Sequence, residues 1–128
     1  MASPIMTQNA LGNVIAGVSV AATATSALVA ANATTKFEIQ LQFDVLTGAG
    51  AQASATATIK VYRVFGPSSS QPDNVPITQL QVNLGQASTH YLASVALPTG
   101  NYNFSVTNGD GANPFSFSVT SSTIDAIA

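Results

Sequence analysis

Residues 36–45, Lys36-Phe-Glu-Ile-Gln-Leu-Gln-Phe-Asp-Val45, alternate strictly between polar and apolar side chains. Successive side chains of a β-strand point to opposite faces, so this pattern predicts a strand with one solvated and one buried face. A helix would spread the same apolar residues around its whole circumference. The segment therefore predicts a strand at the centre of the chain.

The same period of two recurs in both directions from this segment. It appears in residues 14–20, 52–65, 79–84, 91–97, 102–106 and 115–119, and residues 27–30 predict a further short strand. About seven to eight short strands separated by turn residues are typical of an all-β, antiparallel β-sandwich, either immunoglobulin-like or jelly-roll. The chain of 128 residues predicts one sandwich domain over 14–128, preceded by an extended N-terminal arm over 1–13.

Glycine, proline and asparagine mark the predicted connections. Residues 47–50 and 108–111, both rich in Gly, predict hairpin loops, and residues 97–100 predict a turn. The Ser- and Pro-rich segment Gly66–Pro76 is the longest predicted loop. At the end of the chain, residues 121–128 predict a single helical turn capped by Ser122.

The composition argues against catalysis and against metal or nucleic-acid binding. Charged residues make up 6% of the chain, cysteine is absent and His90 is the only histidine. No paired-acid or metal-ligand spacing occurs, and no Gly-x-Ser-x-Gly nucleophile motif is present. Three basic residues cannot follow a phosphate backbone. We therefore expect no enzyme activity, no cofactor or metal, and no nucleic-acid partner.

The uncharged stretch Leu11–Ala31 is long enough to cross a bilayer, but it is interrupted by Ser, Thr and Asn and is mostly Ala. Residues 1–10 lack the basic start of a signal peptide. We expect two strands and a loop in this region rather than a membrane segment.

A nearly uncharged surface favours association, because soluble monomers use charge to resist it. We therefore expect a homo-oligomer. The N-terminal arm carries Ile5, Met6 and Leu11, which are too apolar to remain in solvent. These three residues are the candidate assembly contacts, on the chain's own domain or on a neighbouring subunit.

The segment Leu97-Pro-Thr-Gly-Asn-Tyr102 resembles the tyrosine corner of immunoglobulin-like sandwiches. Leu97, Gly100 and Tyr102 stand where that pattern requires them. The resemblance implies that the Tyr102 hydroxyl bonds back to the corner backbone and that this ring shares a face with Phe104 and Val106.

A second resemblance covers Val18–Gln42. Its Thr23-Ala-Thr25 bend, its Leu28-Val-Ala-Ala-Asn32 turn and the Ile39-Gln40 pair resemble the N-terminal pattern of small structural proteins of tailed bacteriophages. Lys36 corresponds loosely to the basic residue usual after the turn, and the Asn-Gly continuation is absent. The resemblance implies a virion subunit assembled in the bacterial host cytoplasm, with a head-decoration (cement) protein as the natural choice at this size and tail-tube, neck and fibre subunits as the alternatives. Its partners would be the major capsid protein, other virion subunits and its own copies, with a trimer favoured.

Two alternatives remain open at this point. A secreted carbohydrate- or surface-binding module would need Tyr62 and Tyr91 as its stacking aromatics, since the chain has no Trp. The composition also fits a self-polymerising extracellular filament subunit, which would donate its N-terminal segment as a strand to the next copy.

Overall fold

A computed structural model describes residues 5–8, 12–50, 55–64 and 75–127. Every element in this part of the chain is a strand, which confirms the all-β prediction. The seven strands are β1 (Ile5–Gln8), β2 (Gly12–Val20), β3 (Val29–Thr47), β4 (Thr56–Val64), β5 (Thr78–Asn83), β6 (His90–Asn108) and β7 (Phe115–Ile127). All of their pairings are antiparallel.

Two strands of 19 residues, β3 and β6, run through both layers of the sandwich. Residues 38–46 of β3 pair with residues 90–98 of β6, and residues 29–33 pair with residues 100–104. Between these two ladders, four residues of β3 lie opposite Thr99 of β6 alone. Each long strand therefore contributes one half to each sheet.

The halves define two four-stranded sheets. Sheet I has the order β2, β7, second half of β3, first half of β6, and β1 extends the line of β2 along β7. Sheet II has the order first half of β3, second half of β6, β4, β5. When β1 and β2 are counted as one strand and the halves of β3 and β6 as separate strands, the orders are 1-8-3-6 and 2-7-4-5, the double Greek key of a jelly roll. Of the two predicted sandwich types, the chain adopts the jelly roll.

The core lies between the inner faces of the two sheets. In β3 the alternation read from the sequence places Ile39, Leu41, Phe43 and Val45 inside. Phe43 of sheet I meets Phe104 of sheet II edge to face, with ring centroids 5.1 Å apart. Such aromatic contacts are favourable beyond the area they bury, and this one joins the two layers directly. The other buried members are mainly Ala, Val, Leu, Ile and Phe of β4, β6 and β7.

The segment 97–102 forms the bend of β6 rather than a turn between two strands. Leu97 is the last inward residue of the first half, and Tyr102 is the first buried residue of the second. The Tyr102 hydroxyl donates a hydrogen bond of 2.6 Å to the Pro98 carbonyl. A Cβ on Gly100 would lie only 3.0 Å from that hydroxyl oxygen, so glycine lets the ring close against the bend.

Three further local predictions were wrong. The Gly-rich connections β3–β4 and β6–β7 are not hairpins, because each joins a strand in one sheet to a strand in the other. The predicted helical turn at the end of the chain is part of β7, whose residues 124–127 pair with β1. Cross-strand hydrogen bonds replace the local ones that a single helical turn would provide.

Replacing Tyr102 with Phe removes one hydrogen bond at the bend and keeps the ring. We expect Tyr102→Phe to lower the free energy of unfolding by about 0.5–1.5 kcal/mol, the usual net value of such a bond. Urea unfolding followed by circular dichroism measures it. Tyr62→Phe, on the outer face of sheet II, is the matched control and should be neutral, and equal stability of the two variants would contradict the role of the bond.

Burial raises the pKa of Tyr102 above its ordinary value of 10.0, an effect that the nearby Arg63 guanidinium opposes. The fold therefore favours the neutral phenol. This stabilisation is complete below about pH 10 and is lost as the pH rises from there through the folded-state pKa. We expect the stability difference between wild type and Tyr102→Phe to shrink above pH 10, which unfolding curves from pH 8 to 11 would measure. A difference that stays constant over this range would contradict the expectation.

Candidate functional site

The predicted assembly contacts belong to the N-terminal arm. Ile5 and Met6 stand in β1, where their backbones lie opposite Ile127 and Ala126 of the same chain's β7. Leu11 lies outside the described residues. Most of the predicted Ser/Pro loop, Gly66–Pro76, also lies outside the described residues. Only Val75 and Pro76 of this loop are described.

The β2 edge of sheet I is irregular. Its register against β7 shifts twice, between Asn13 and Ile15 and between Ile15 and Val18. Gly17 has a φ of +63°, and its N–H donates to Ser118 Oγ at 3.0 Å rather than to a ladder carbonyl. Bulges of this kind prevent a further strand from pairing with a sheet edge.

The opposite edge of sheet I, formed by residues 90–98 of β6, is regular. Leu46 lies opposite His90, which puts Thr47 next to Thr89, and the Thr47 N–H donates to the Thr89 carbonyl at 3.1 Å. Odd-numbered residues of β6 therefore bond to β3 here, and the even-numbered ones direct their N–H and C=O groups away from it. No described residue pairs with that side. We call the outward-directed residues His90, Leu92, Ser94 and Ala96 the β6 edge.

The side chains of the β6 edge are exposed and nearly uncharged. Leu92 is 62% exposed, and among the large apolar residues of the described chain only Val75 is more exposed. His90 Nδ1 lies 2.9 Å from Asp44 Oδ1, a pair that 46 residues of separation hid from sequence reasoning. A shallow groove of about 240 Å³, lined by Gln40, Ser94, Val95 and Ala96, lies beside the edge. The edge thus offers backbone bonding groups without Lys, Pro or bulges to block them before Pro98.

The outer face of sheet II is polar. It carries Thr58, Lys60 and Tyr62 on β4 and exposed Gln side chains on β5. Tyr91, by contrast, points toward the core from β6, and its hydroxyl accepts a hydrogen bond from the Gln86 N–H at 3.0 Å. The two tyrosines considered for carbohydrate stacking therefore do not share a surface.

The loop between β6 and β7 is held by a buried carboxylate. Asp110 is 3% exposed, and its Oδ1 accepts hydrogen bonds of 2.9 Å from the N–H groups of Ala112 and Asn113. Buried Asn108 bonds through Oδ1 to the Asp110 N–H and through Nδ2 to the Val20 carbonyl. The Asn-Gly-Asp-Gly sequence thus closes the end of the sandwich. In the described residues, no three His, Cys, Asp or Glu side chains group as metal ligands would.

Removing the Asp110 carboxylate leaves two loop N–H groups without their acceptor. We expect Asp110→Ala to cost about 1–3 kcal/mol of unfolding free energy. Asp110→Asn keeps an acceptor oxygen and should cost less. Urea unfolding compares them with Asp44→Ala on the outer face of sheet I, and a loss for Asp110→Ala no larger than that control's would refute the assignment.

Nothing among the described residues forms a helix long and apolar enough to cross a membrane. The only imidazole among them is exposed and paired with one carboxylate. The site with the clearest geometry is therefore the β6 edge.

No protein-family model matches the sequence, and no curated protein matches it significantly. Solved structures do resemble it. A Bacillus endospore appendage that forms disulfide-linked pili is 12% identical with a TM-score of 0.50, over 99% of this chain and 93% of that one. A Cowpea mosaic virus empty-particle protein is 10% identical with a TM-score of 0.50, over 98% and 86%.

An enzyme contains a similar sandwich. Tripeptidyl peptidase 2 matches at a TM-score of 0.58 with 6% identity, over 88% of this chain but 10% of that one. At these identities each likeness shows the fold alone: the chain shares its β-sandwich with viral and pilus structural proteins and with a small part of an enzyme.

Proposed function

We propose that the chain is a non-enzymatic structural subunit of a virion, most specifically a capsid decoration (cement) protein that binds the major capsid protein and its own copies. The observation that carries this proposal is the regular and nearly uncharged β6 edge, with which no described strand pairs, on a charge-poor sandwich. A protein that stays monomeric protects such an edge. One that works in an assembly covers it with a partner.

The comparisons support an assembly role at a coarse level. The pilus and virus-particle neighbours match over nearly the whole of both chains. The peptidase neighbour uses the sandwich as a tenth of a much larger chain. In the pilus and virus-particle neighbours, the matching sandwich makes up 93% and 86% of the chain.

The decoration role rests on the bacteriophage resemblance of Val18–Gln42. In the fold, these residues cover the end of β2, the connection to β3, and much of β3 itself. They therefore contribute strands to both sheets. A closed small oligomer would place several copies on one capsid lattice point.

A filament subunit is the second candidate, favoured by the pilus neighbour. That protein forms disulfide-linked pili, whereas this chain has no cysteine, so its contacts would be non-covalent. The carbohydrate-binding alternative loses support, because Tyr91 packs toward the core and leaves Tyr62 alone on the outer face.

Light scattering coupled to size exclusion, over a dilution series of the purified chain, tests the proposal. We expect a mass that is a small multiple of 13.0 kDa and persists on dilution. It should also be insensitive to NaCl up to 1 M, because few charges are available for salt to screen.

The outcomes separate the candidates. A closed species supports a decoration subunit, and an open-ended ladder of masses supports the filament. A monomer at every concentration contradicts both.

A further inference from the structure

We propose that the β6 edge pairs antiparallel with the β6 edge of a second copy, around a two-fold axis at Ala93, so that sheet I continues from one subunit into the next. This inference rests on the proposed self-assembly and names its contact, partner and register.

The register follows from which backbone groups point outward. With the axis at Ala93, His90 lies opposite Ala96 of the second copy and Leu92 lies opposite Ser94. The same pairs recur on the other side of the axis. Four residues with one N–H and one C=O each, on two copies, form up to about eight hydrogen bonds. Moving the axis by one residue leaves one outward residue of each copy without a partner.

The side chains fit together in this register. On the outer face, Leu92 contacts Ser94 of the second copy and lies diagonal to the second Leu92, within reach of a long side chain. On the inner face, Ala93 meets its own copy and Tyr91 meets Val95, which extends the half-buried apolar stripe across the junction. His90, already paired with Asp44, faces Ala96. No like charges are brought together.

The other edges fit a second copy less well. The β2 edge is interrupted by two register shifts and the positive φ of Gly17. The first half of β3 offers only residues 29–33, and β5 has six residues. The β6 edge is the longest regular one in the described chain, and it is complementary to itself.

A proline at Ser94 tests the edge. The Ser94 N–H points away from β3, so Ser94→Pro removes a donor from the free side alone, a position where strands tolerate proline. We expect the fold to be kept by circular dichroism while the dissociation constant of the two-fold pair rises at least about tenfold.

Gln81→Pro is the matched control. The Leu84 N–H donates to the Ala55 carbonyl, so even-numbered residues of β5 bond to β4 and the Gln81 N–H faces the free side. This variant should associate like wild type. If Ser94→Pro associates as tightly as Gln81→Pro, the edge inference fails while self-assembly stands. A monomeric wild type would defeat both.

A cross-link tests the register in a chain that has no cysteine. Ala93 would face itself in a non-hydrogen-bonded pair with Cα atoms about 4.5 Å apart, within disulfide range. We expect Ala93→Cys to form a covalent dimer on mild oxidation at micromolar concentration, and Gln81→Cys to remain largely uncross-linked. Equal cross-linking of the two variants, or none at Ala93 in an associated protein, would overturn the two-fold register.

Discussion

The bend of β6 between Leu97 and Tyr102 is the constraint on which the two-layered structure depends. In the part of β6 before the bend, odd-numbered residues face the core, and in the part after the bend, even-numbered residues face it. Tyr102 closes the bend by donating to the Pro98 carbonyl, and Gly100 leaves room for the ring. Because β3 runs beside β6 through the same bend, this bend determines how the two sheets stack on each other.

The same topology decides which edges remain open. β3 lies beside β6 in both sheets, but β4 pairs only with the second half of β6, so the other side of the first half has no described strand next to it. The opposite edge of sheet I is bulged and protected, and the β6 edge is straight and carries Leu92. This asymmetry is the reason why we propose the β6 edge as the place where the molecule associates.

Alternation in the sequence predicted the strands well because burial on one face enforces a period of two. The alternation over Lys36–Val45 predicts a strand on that ground, and the buried positions described there, Ile39, Leu41, Phe43 and Val45, are those that the pattern predicts. The loops were harder. Gly-rich segments after β3 and after β6 permit the chain to reverse, but a reversal can lead to a neighbouring strand or across to the other sheet. The pair His90–Asp44 and the open edge were invisible for the same reason, since both arise from contacts between distant segments.

The sequence by itself determined an all-β, charge-poor, cysteine-free chain with its core positions marked by alternation. These properties follow from side-chain chemistry and local backbone geometry, which each residue carries with it. Only the tertiary structure decided that the sandwich is a jelly roll, that residues 121–127 belong to a strand, and that no described strand pairs with the β6 edge. Strand partners are chosen by hydrogen bonds and packing across the whole chain, and neighbouring residues contain no information about them.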